Sequence, residues 1–146
     1  AVYGSGATSK LFMNVREKLS LCYYASSSYA RSKGIMTVSS GIETKNFQQA
    51  HDEILHQLEL VKQGQWEEWE LQGALATMCS SLTSLSDSQG ALENYYLGQT
   101  AIGIEETPEE LMELLRRVTP ERIRAAAQSC RLDTVFFLKG KEEGVC

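Results

Sequence analysis

The chain opens with an amphipathic pattern that predicts a helix. Four apolar residues fall on one helical face: Leu11, Phe12, Val15 and Leu19. Ser9 stands where an N-cap belongs, because its hydroxyl can accept a bond from the first turn. Arg16 and Lys18 fall towards the end of this helix.

Two β-prone runs follow, and the first begins directly after the helical pattern, with no loop-like residues between them. Cys22–Ala30 and Ile35–Ile42 are rich in Tyr, Val, Ile, Ser and Thr, and the polar segment between them ends at Gly34. This pattern predicts a β-hairpin. Three apolar residues of the second run share one face: Met36, Val38 and Ile42. That face is therefore the side of the hairpin we expect to be covered.

Helical spacing dominates the rest of the chain. Five apolar positions repeat at a helical period before a stop at Gly64: Phe47, Ala50, Ile54, Leu58 and Val61. A second periodic stretch runs from Trp66 to about Leu85, through Trp69, Ala76 and Leu82. A third is bounded by Gly90 and Gly98, and it contains Leu92, Tyr95, Tyr96 and Leu97. We expect the aromatic residues of these stretches to be packing residues of a helical layer.

Two threonine-proline pairs mark helix starts near the end of the chain. Thr107 with Glu110 predicts a capping box, and Thr119 predicts a second N-cap, each followed by proline at the first helical position. They open predicted helices over 109–117 and 121–130. The β-prone run 134–138 then predicts a buried or edge strand. Strands grouped beside a block of helices predict an α+β fold, with an antiparallel sheet covered by helices.

Composition fits one domain over residues 1–146. The chain is 42% hydrophobic and 23% charged, as in ordinary soluble globular proteins. Its net charge of −5 argues against nucleic acid as a partner. No apolar run approaches the roughly 18 residues of a membrane span, and the start lacks signal-peptide features.

The four cysteines are too far apart for a CxxC metal or redox motif. We interpret Cys22, Cys79, Cys130 and Cys146 as reduced thiols that mostly fill the core. Reduced thiols and the lack of a signal predict a cytoplasmic protein.

His51 and His56, with two carboxylates between them, are the most tempting metal signal. Positions five apart on a helix point away from each other, whereas zinc-binding histidine pairs are four apart. We therefore predict no metal site here, with His51 partly buried and His56 solvated. A Ser-His or Cys-His catalytic arrangement would have to use one of these two histidines, and neither has a motif around it.

The order of residues in LFMNVREKLSLCYYASSS and GIMTVSSGIE resembles the C-terminal, zinc-free domain of the pitrilysin or insulinase family of zinc metallopeptidases. The resemblance continues through NFQQAHDEILHQLELVKQG, SLTSLSDSQGALENYYLGQ and TPEELMELLRRVTPERIRAAA, and so covers nearly the whole chain. Its most specific part is Arg16 followed seven positions later by Tyr23, in an R-E-K-x-x-L-x-Y frame.

The resemblance implies a role for these two residues. Members of the family pair two similar α+β domains, in one chain or in two, around a closed chamber. The N-terminal half holds zinc on an H-x-x-E-H helix. The C-terminal half contributes an arginine and a tyrosine that hold the peptide substrate near the metal, which here would be Arg16 and Tyr23.

This chain has no H-x-x-E-H. The resemblance therefore implies that it binds no zinc, is inactive alone, and needs a zinc-bearing partner domain in cis or in trans. The family places a strand and most of a helix before the position of Ala1, so we expect an N-terminally truncated fragment of a longer bacterial protein. A sheet that lacks an edge strand could also pair with a second copy, as a homodimer.

Two other hypotheses about function stay open. The chain could be a non-catalytic scaffold or assembly subunit of the same family, in which Arg16 and Tyr23 are structural remnants. It could also be an unrelated α+β domain that binds a small molecule, because fold alone does not determine function. An H-x-x-E-H motif in an upstream or neighbouring sequence would favour the hypothesis that the chain is part of a zinc peptidase.

Overall fold

The structure, a computed structural model that describes residues 1–140, places one β-hairpin beside a set of helices. This arrangement confirms the α+β prediction. The elements, in chain order, are a first helix Leu11–Lys18, strands β1 Cys22–Ala30 and β2 Ile35–Ile42, and helices α1 Phe47–Gln63, α2 Glu68–Thr83, α3 Gln89–Ala101, α4 Pro108–Arg116 and α5 Pro120–Gln128. Short 3-10 turns at Thr44–Asn46 and Ser84–Asp87 lead into α1 and follow α2.

The first helix is wound as a π-helix, which its sequence did not predict. The N–H of Leu19 donates to the carbonyl of Asn14, five residues back, at 3.2 Å. Leu11 and Val15 are fully buried as expected, but Leu19 is 38% exposed because the chain turns away at Ser20, whose φ is 50°.

The predicted N-cap of this helix is wrong by one residue. Lys10 occupies the cap position, and Ser9 lies buried just before it. The Ser9 hydroxyl still accepts a long bond from the N–H of Phe12, at 3.4 Å.

The hairpin has the predicted bounds and pairs antiparallel, with Ser27 opposite Val38 and Ala30 opposite Ile35. The apolar face of β2 packs on the core as predicted, through Met36, Val38 and Ile42. The main members of that core are Leu11 and Val15 of the first helix, Ala25 of β1, Ala50, Leu58 and Val61 of α1, and Ala127 of α5.

Helix α2 presents a different face from the predicted one. Trp69 is 48% exposed and Ala76 is also exposed, whereas Glu70 and Ala74 are buried. The reason is tertiary, because the N-terminal segment lies on this helix. A Cβ added at Gly73 would lie 2.6 Å from the Thr8 hydroxyl.

The glycines predicted to bound the third helical stretch lie inside a helix. Gly90 and Gly98 both fall within α3, whose N-cap is Ser88, with its hydroxyl accepting from the N–H of Ala91 at 3.3 Å. Neither glycine has a neighbour within 4 Å of an added Cβ. A helix tolerates glycine at such open positions at a cost of about 1 kcal/mol.

The two threonine caps are confirmed. The Thr107 hydroxyl accepts from the N–H of Glu110 at 3.2 Å, and the Glu110 carboxylate accepts from the N–H of Thr107 at 2.8 Å. Thr119 caps α5 through the N–H of Arg122 at 3.5 Å.

The predicted strand over 134–138 is not formed. The segment joins no ladder, and most of its side chains are exposed, with Phe136 at 83% and Leu138 at 81%. β-Prone composition does not make a strand unless another strand lies beside it. Within residues 1–140 the only paired strands are β1 and β2.

Candidate functional site

Arg16 lies on the first helix with its guanidinium held on two sides. The guanidinium carbon is 4.7 Å from the centre of the Phe12 ring, and Nη1 is 3.6 Å from the Glu17 carboxylate. The side chain is nevertheless 41% exposed. A guanidinium in this position can still offer N–H donors to a carbonyl or carboxylate from solvent.

Tyr23 occupies a β-bulge, which explains its unusual exposure. Cys22 pairs with Ile42 and Tyr24 pairs with Gly41, so Tyr23 is the extra residue without a partner on β2. A bulge of this kind re-aims a side chain. Tyr23 is 87% exposed, the largest value among the exposed apolar and aromatic residues of the described chain.

The neighbouring tyrosine has a structural role instead. The ring of Tyr24 lies across Gly41, where an added Cβ would come within 2.7 Å of Cε1. Glycine at position 41 is therefore required by the ring of Tyr24. Of two consecutive tyrosines, one packs on the hairpin and the other points away from it.

The structure brings Arg16 and Tyr23 to the same junction without joining them. The helix ends at Lys18 and the strand begins at Cys22, so the two side chains flank a three-residue connection. Within residues 1–140, no hydrogen bond or ring contact connects Arg16 with Tyr23. Both side chains are exposed to solvent at this junction.

The outer edge of β1 carries a contact that sequence reasoning missed. The N–H of Ser27 points away from β2 and donates to the carbonyl of Gly4 at 2.7 Å. Gly4 has no room for a side chain, because an added Cβ would lie 2.6 Å from the Ser27 hydroxyl. The only sequence signal for this contact is a glycine in the segment before the first helix. The sequence does not indicate that its partner is Ser27.

The N-terminal segment that supplies Gly4 is anchored at three points. The Lys10 ammonium forms a buried ion pair with Glu70 of α2, at 3.1 Å and with side chains 7% and 5% exposed. The Tyr3 hydroxyl donates to the Ile54 carbonyl at 2.9 Å. Thr8 packs on Gly73, and its hydroxyl is buried without a hydrogen-bond partner.

The exposure of the two histidines is as predicted. His51 is 27% exposed and stacks on Phe47 with ring centres 5.9 Å apart, while His56 is exposed. Across the described part of the chain, no group of three or more His, Cys, Asp or Glu could hold a metal ion. His51 and the carboxylate of Asp52 lie 3.2 Å apart, and the hydrogen bonds from Gln48 and His51 lower the pKa of Asp52.

Three cysteines fall within the described residues. Cys22, Cys79 and Cys130 are free thiols of intermediate burial, and the first and last of them pack against the core. Cys146 lies outside the described residues. None of the helices in residues 1–140 combines the length and the apolar character needed to cross a bilayer.

Comparison with known proteins gives consistent matches. Residues 1–78 match the family described as the peptidase M16 inactive domain. The chain is 38% identical over 141 residues to a Bacillus subtilis (strain 168) protein named probable inactive metalloprotease YmfF, covering 97% of this chain and 33% of that protein. It also matches the crystal structure of a conserved protein from Enterococcus faecalis V583, with a TM-score of 0.78 and 38% identity, over 87% of this chain and 30% of that one. The chain thus spans about a third of the length of each relative.

Proposed function

Because this chain belongs to the peptidase M16 family and matches its inactive domain, we propose that it is the non-catalytic half of a zinc-dependent peptidase. In this role it closes the chamber around a peptide and positions that peptide for a partner domain that carries H-x-x-E-H. The partner lies on the same polypeptide or on another. The free thiols suit a reducing compartment, and we place the assembly in the cytoplasm.

The exposure of Tyr23 carries the proposal. A tyrosine ring that is 87% exposed contributes little to packing, and the bulge that exposes it interrupts the β1–β2 ladder. The fold therefore places this side chain where a second molecule can reach it. Such an arrangement suits a binding residue better than a core residue.

Arg16 and Tyr23 supply complementary chemistry for holding a peptide. The guanidinium of Arg16 can donate two parallel bonds to a carboxylate or one to a main-chain carbonyl. The Tyr23 phenol can donate to the oxygen on which negative charge develops when the partner's metal-activated water attacks. Zinc would be held by the partner, and it would supply that water.

The test is peptidase activity of this chain mixed with its zinc-bearing partner domain. We expect Arg16→Ala and Tyr23→Phe to lose most turnover while the variants fold and assemble normally. Arg31→Ala is the matched control, since Arg31 is an exposed arginine at the other end of β1. Unchanged turnover in both site variants would overturn the assignment.

A second candidate is a scaffold or assembly subunit without a role in turnover. The observation that favours it is the engagement of Arg16 with Phe12 and Glu17, since these contacts also suit an arginine that only stabilises the first helix. In the same assay this function predicts no activity with any partner domain. It also predicts that Arg16→Ala lowers stability rather than substrate binding.

A further inference from the structure

The π winding of the first helix is unusual enough to need a cause. The N–H of Met13 donates to the carbonyl of Ser9, four residues back, at 2.9 Å. The N–H of Leu19 donates to the carbonyl of Asn14, five residues back, at 3.2 Å. The hydrogen-bond spacing therefore widens by one residue within Leu11–Lys18. Windings of this kind mostly last a single turn and are frequent at functional sites.

Asn14 stands where the spacing changes, and its side chain supplies a donor inside the helix. Its Nδ2 lies 3.1 Å from the carbonyl oxygen of Lys10, four residues back. In an α-helix that carbonyl accepts from the main-chain N–H of residue 14. A side chain that bonds into the ladder of a helix in this way competes with the main chain and changes the local geometry. The Asn14 amide therefore favours the wider spacing.

The orientation of the Asn14 amide is fixed from α1. Nδ2 also donates to Oε1 of Gln57 at 3.0 Å, and Nε2 of Gln57 donates to the Glu53 carboxylate at 2.6 Å. Gln57 is only 4% exposed. Because the Lys10 carbonyl and the ionised Glu53 carboxylate can only accept, the two ends of this chain of bonds determine which way both amides point. A buried network with one possible direction specifies a single arrangement of the first helix on α1.

The wide spacing continues into the connection that leads to the candidate site. The N–H of Ser20 donates to the Arg16 carbonyl at 3.1 Å. The N–H of Leu21 donates to the carbonyl of Val15, six residues back, at 3.1 Å. Ser20 has a φ of 50°, and β1 with Tyr23 begins just beyond. The winding of the helix therefore sets both the direction of the Arg16 side chain and the point at which the strand starts.

An α-helix over the same residues would direct Arg16 elsewhere. An α-helix completes a turn in 3.6 residues, whereas five-residue spacing turns the chain less at each residue. The two windings would therefore diverge from position 14 onwards, and the guanidinium would leave its place 4.7 Å from the centre of the Phe12 ring. A displacement of about 1 Å in a group that holds substrate can cost about a hundredfold in rate.

We propose that Asn14 is a positioning residue for peptide turnover, because its side-chain bond to the Lys10 carbonyl holds the π winding that directs Arg16 towards the substrate. This inference rests on the proposed function, since Arg16 has a peptide to hold only in the complete peptidase. Asn14 acts through the main chain between residues 14 and 16, and not by contact with the peptide.

Two variants separate this role from a contribution to stability. Gln57→Leu loses the bond to α1 and keeps Nδ2 of Asn14 on the Lys10 carbonyl. The double variant, Asn14→Leu with Gln57→Leu, loses the Lys10 bond as well. Neither variant leaves a buried Gln57 amide without its partner, so we expect both to fold. The two proteins differ only at position 14.

Through-hydrogen-bond scalar couplings in the isotope-labelled chain report the winding without the partner domain. In wild type and Gln57→Leu we expect a coupling from the Leu19 amide nitrogen to the carbonyl carbon of Asn14. In the double variant we expect this coupling to move to Val15, four residues before Leu19. A coupling from Leu19 to position 14 in all three proteins, or no coupling to Asn14 in wild type, would overturn the proposal.

Turnover with the zinc-bearing partner domain tests the role in positioning. We expect the double variant to have a kcat at least about tenfold below that of Gln57→Leu, with KM changed by less than about threefold. Equal kcat values, where Arg16→Ala still removes most turnover, would overturn this inference and leave the proposed function intact. Unchanged turnover in Arg16→Ala and Tyr23→Phe would overturn the proposed function, and with it the role of Asn14 in turnover.

Discussion

The two edges of the β-hairpin differ in almost every respect. The outer edge of β1 has a bulge at Tyr23 and a bond from Ser27 to Gly4, which closes its middle. The outer edge of β2 is uncharged, unblocked and open to an apolar cavity. The outer edge of β1 is thus hydrogen-bonded at its middle and exposes the Tyr23 side chain. Within the described chain, the outer edge of β2 leaves its backbone N–H and C=O groups unpaired.

The anchoring of the N-terminal segment accounts for this difference. Tyr3, Gly4, Thr8 and Lys10 fix the segment to α1, β1 and α2 at spaced points. No comparable segment lies beside β2 in residues 1–140. Loosening the segment should make the two edges more alike.

Lys10→Ala should have the largest effect on the free energy of unfolding. The substitution leaves the buried Glu70 carboxylate without its cation, which costs about 3–5 kcal/mol. Urea denaturation measures the loss. Lys62→Ala is the matched control, because its partner Glu59 is 54% exposed, and it should cost at most about 1 kcal/mol. Similar losses in the two variants would show that the Lys10 pair does not anchor the segment.

Gly4→Ala should displace the N-terminal segment from β1, with a smaller loss of stability than Lys10→Ala. The added Cβ would meet Ser27 at 2.6 Å, and overpacking of this kind costs about 1–3 kcal/mol. Gly90→Ala should instead stabilise by about 0.5–1 kcal/mol, because it lies in α3 with open space around it. Thermal melts of both variants check the opposite signs, and a stable Gly4→Ala would contradict the close contact at Ser27.

Tyr3→Phe should lower the free energy of unfolding by about 1 kcal/mol near neutral pH, because the hydrogen bond to the Ile54 carbonyl is lost. It should also change how stability depends on pH in the alkaline range. Burial, with a smaller electrostatic contribution from the nearby Cys130, raises the pKa of Tyr3 in the folded protein. The folded state then holds this proton more tightly than the unfolded state. The contribution of the protonated Tyr3 phenol to the free energy of unfolding is complete below the unfolded-state pKa of about 10, and it is lost as pH rises further.

The measurement is the urea midpoint from pH 8 to pH 11. Wild type should lose more stability than Tyr3→Phe over this range, with Tyr29→Phe as an exposed control that behaves like wild type. Parallel pH curves for wild type and Tyr3→Phe would show that the Tyr3 phenol is not held in its protonated form by burial.

Local sequence signals predicted the elements that local interactions determine. The Thr107 and Thr119 caps and the bounds of both strands were correct, because caps and strand alternation depend on neighbouring residues. The buried face of α2 was not predicted, since it is set by Lys10 and Thr8 from far along the chain. Segment 134–138 has strand composition but no partner strand, and composition alone does not reveal that.

The candidate site was predicted in part. Family resemblance selected Arg16 and Tyr23, and the structure places both at the helix-to-strand junction. The bulge that exposes Tyr23 depends on the pairing register with Ile42 and Gly41, which the sequence of β1 alone does not specify. Their contact with substrate stays a prediction.

Tyr23→Ala should have the smallest effect on stability. An 87% exposed side chain loses little burial when truncated, so we expect a change within about 0.5 kcal/mol. Tyr24→Ala should cost more, because its ring covers Gly41. Thermal melts of the two variants compare them, and an equal loss would mean that Tyr23 also packs on the fold.

Residue-resolved amide hydrogen exchange tests the contrast between the two edges most directly. We expect the Ser27 amide, bonded to Gly4 at 2.7 Å, to exchange at least about tenfold more slowly than the outward amides of Met36, Val38 and Ser40. Lys10→Ala should reduce this difference. Equal protection on both edges, or slower exchange at Val38 than at Ser27 in the chain alone, would contradict a closed β1 edge and an open β2 edge.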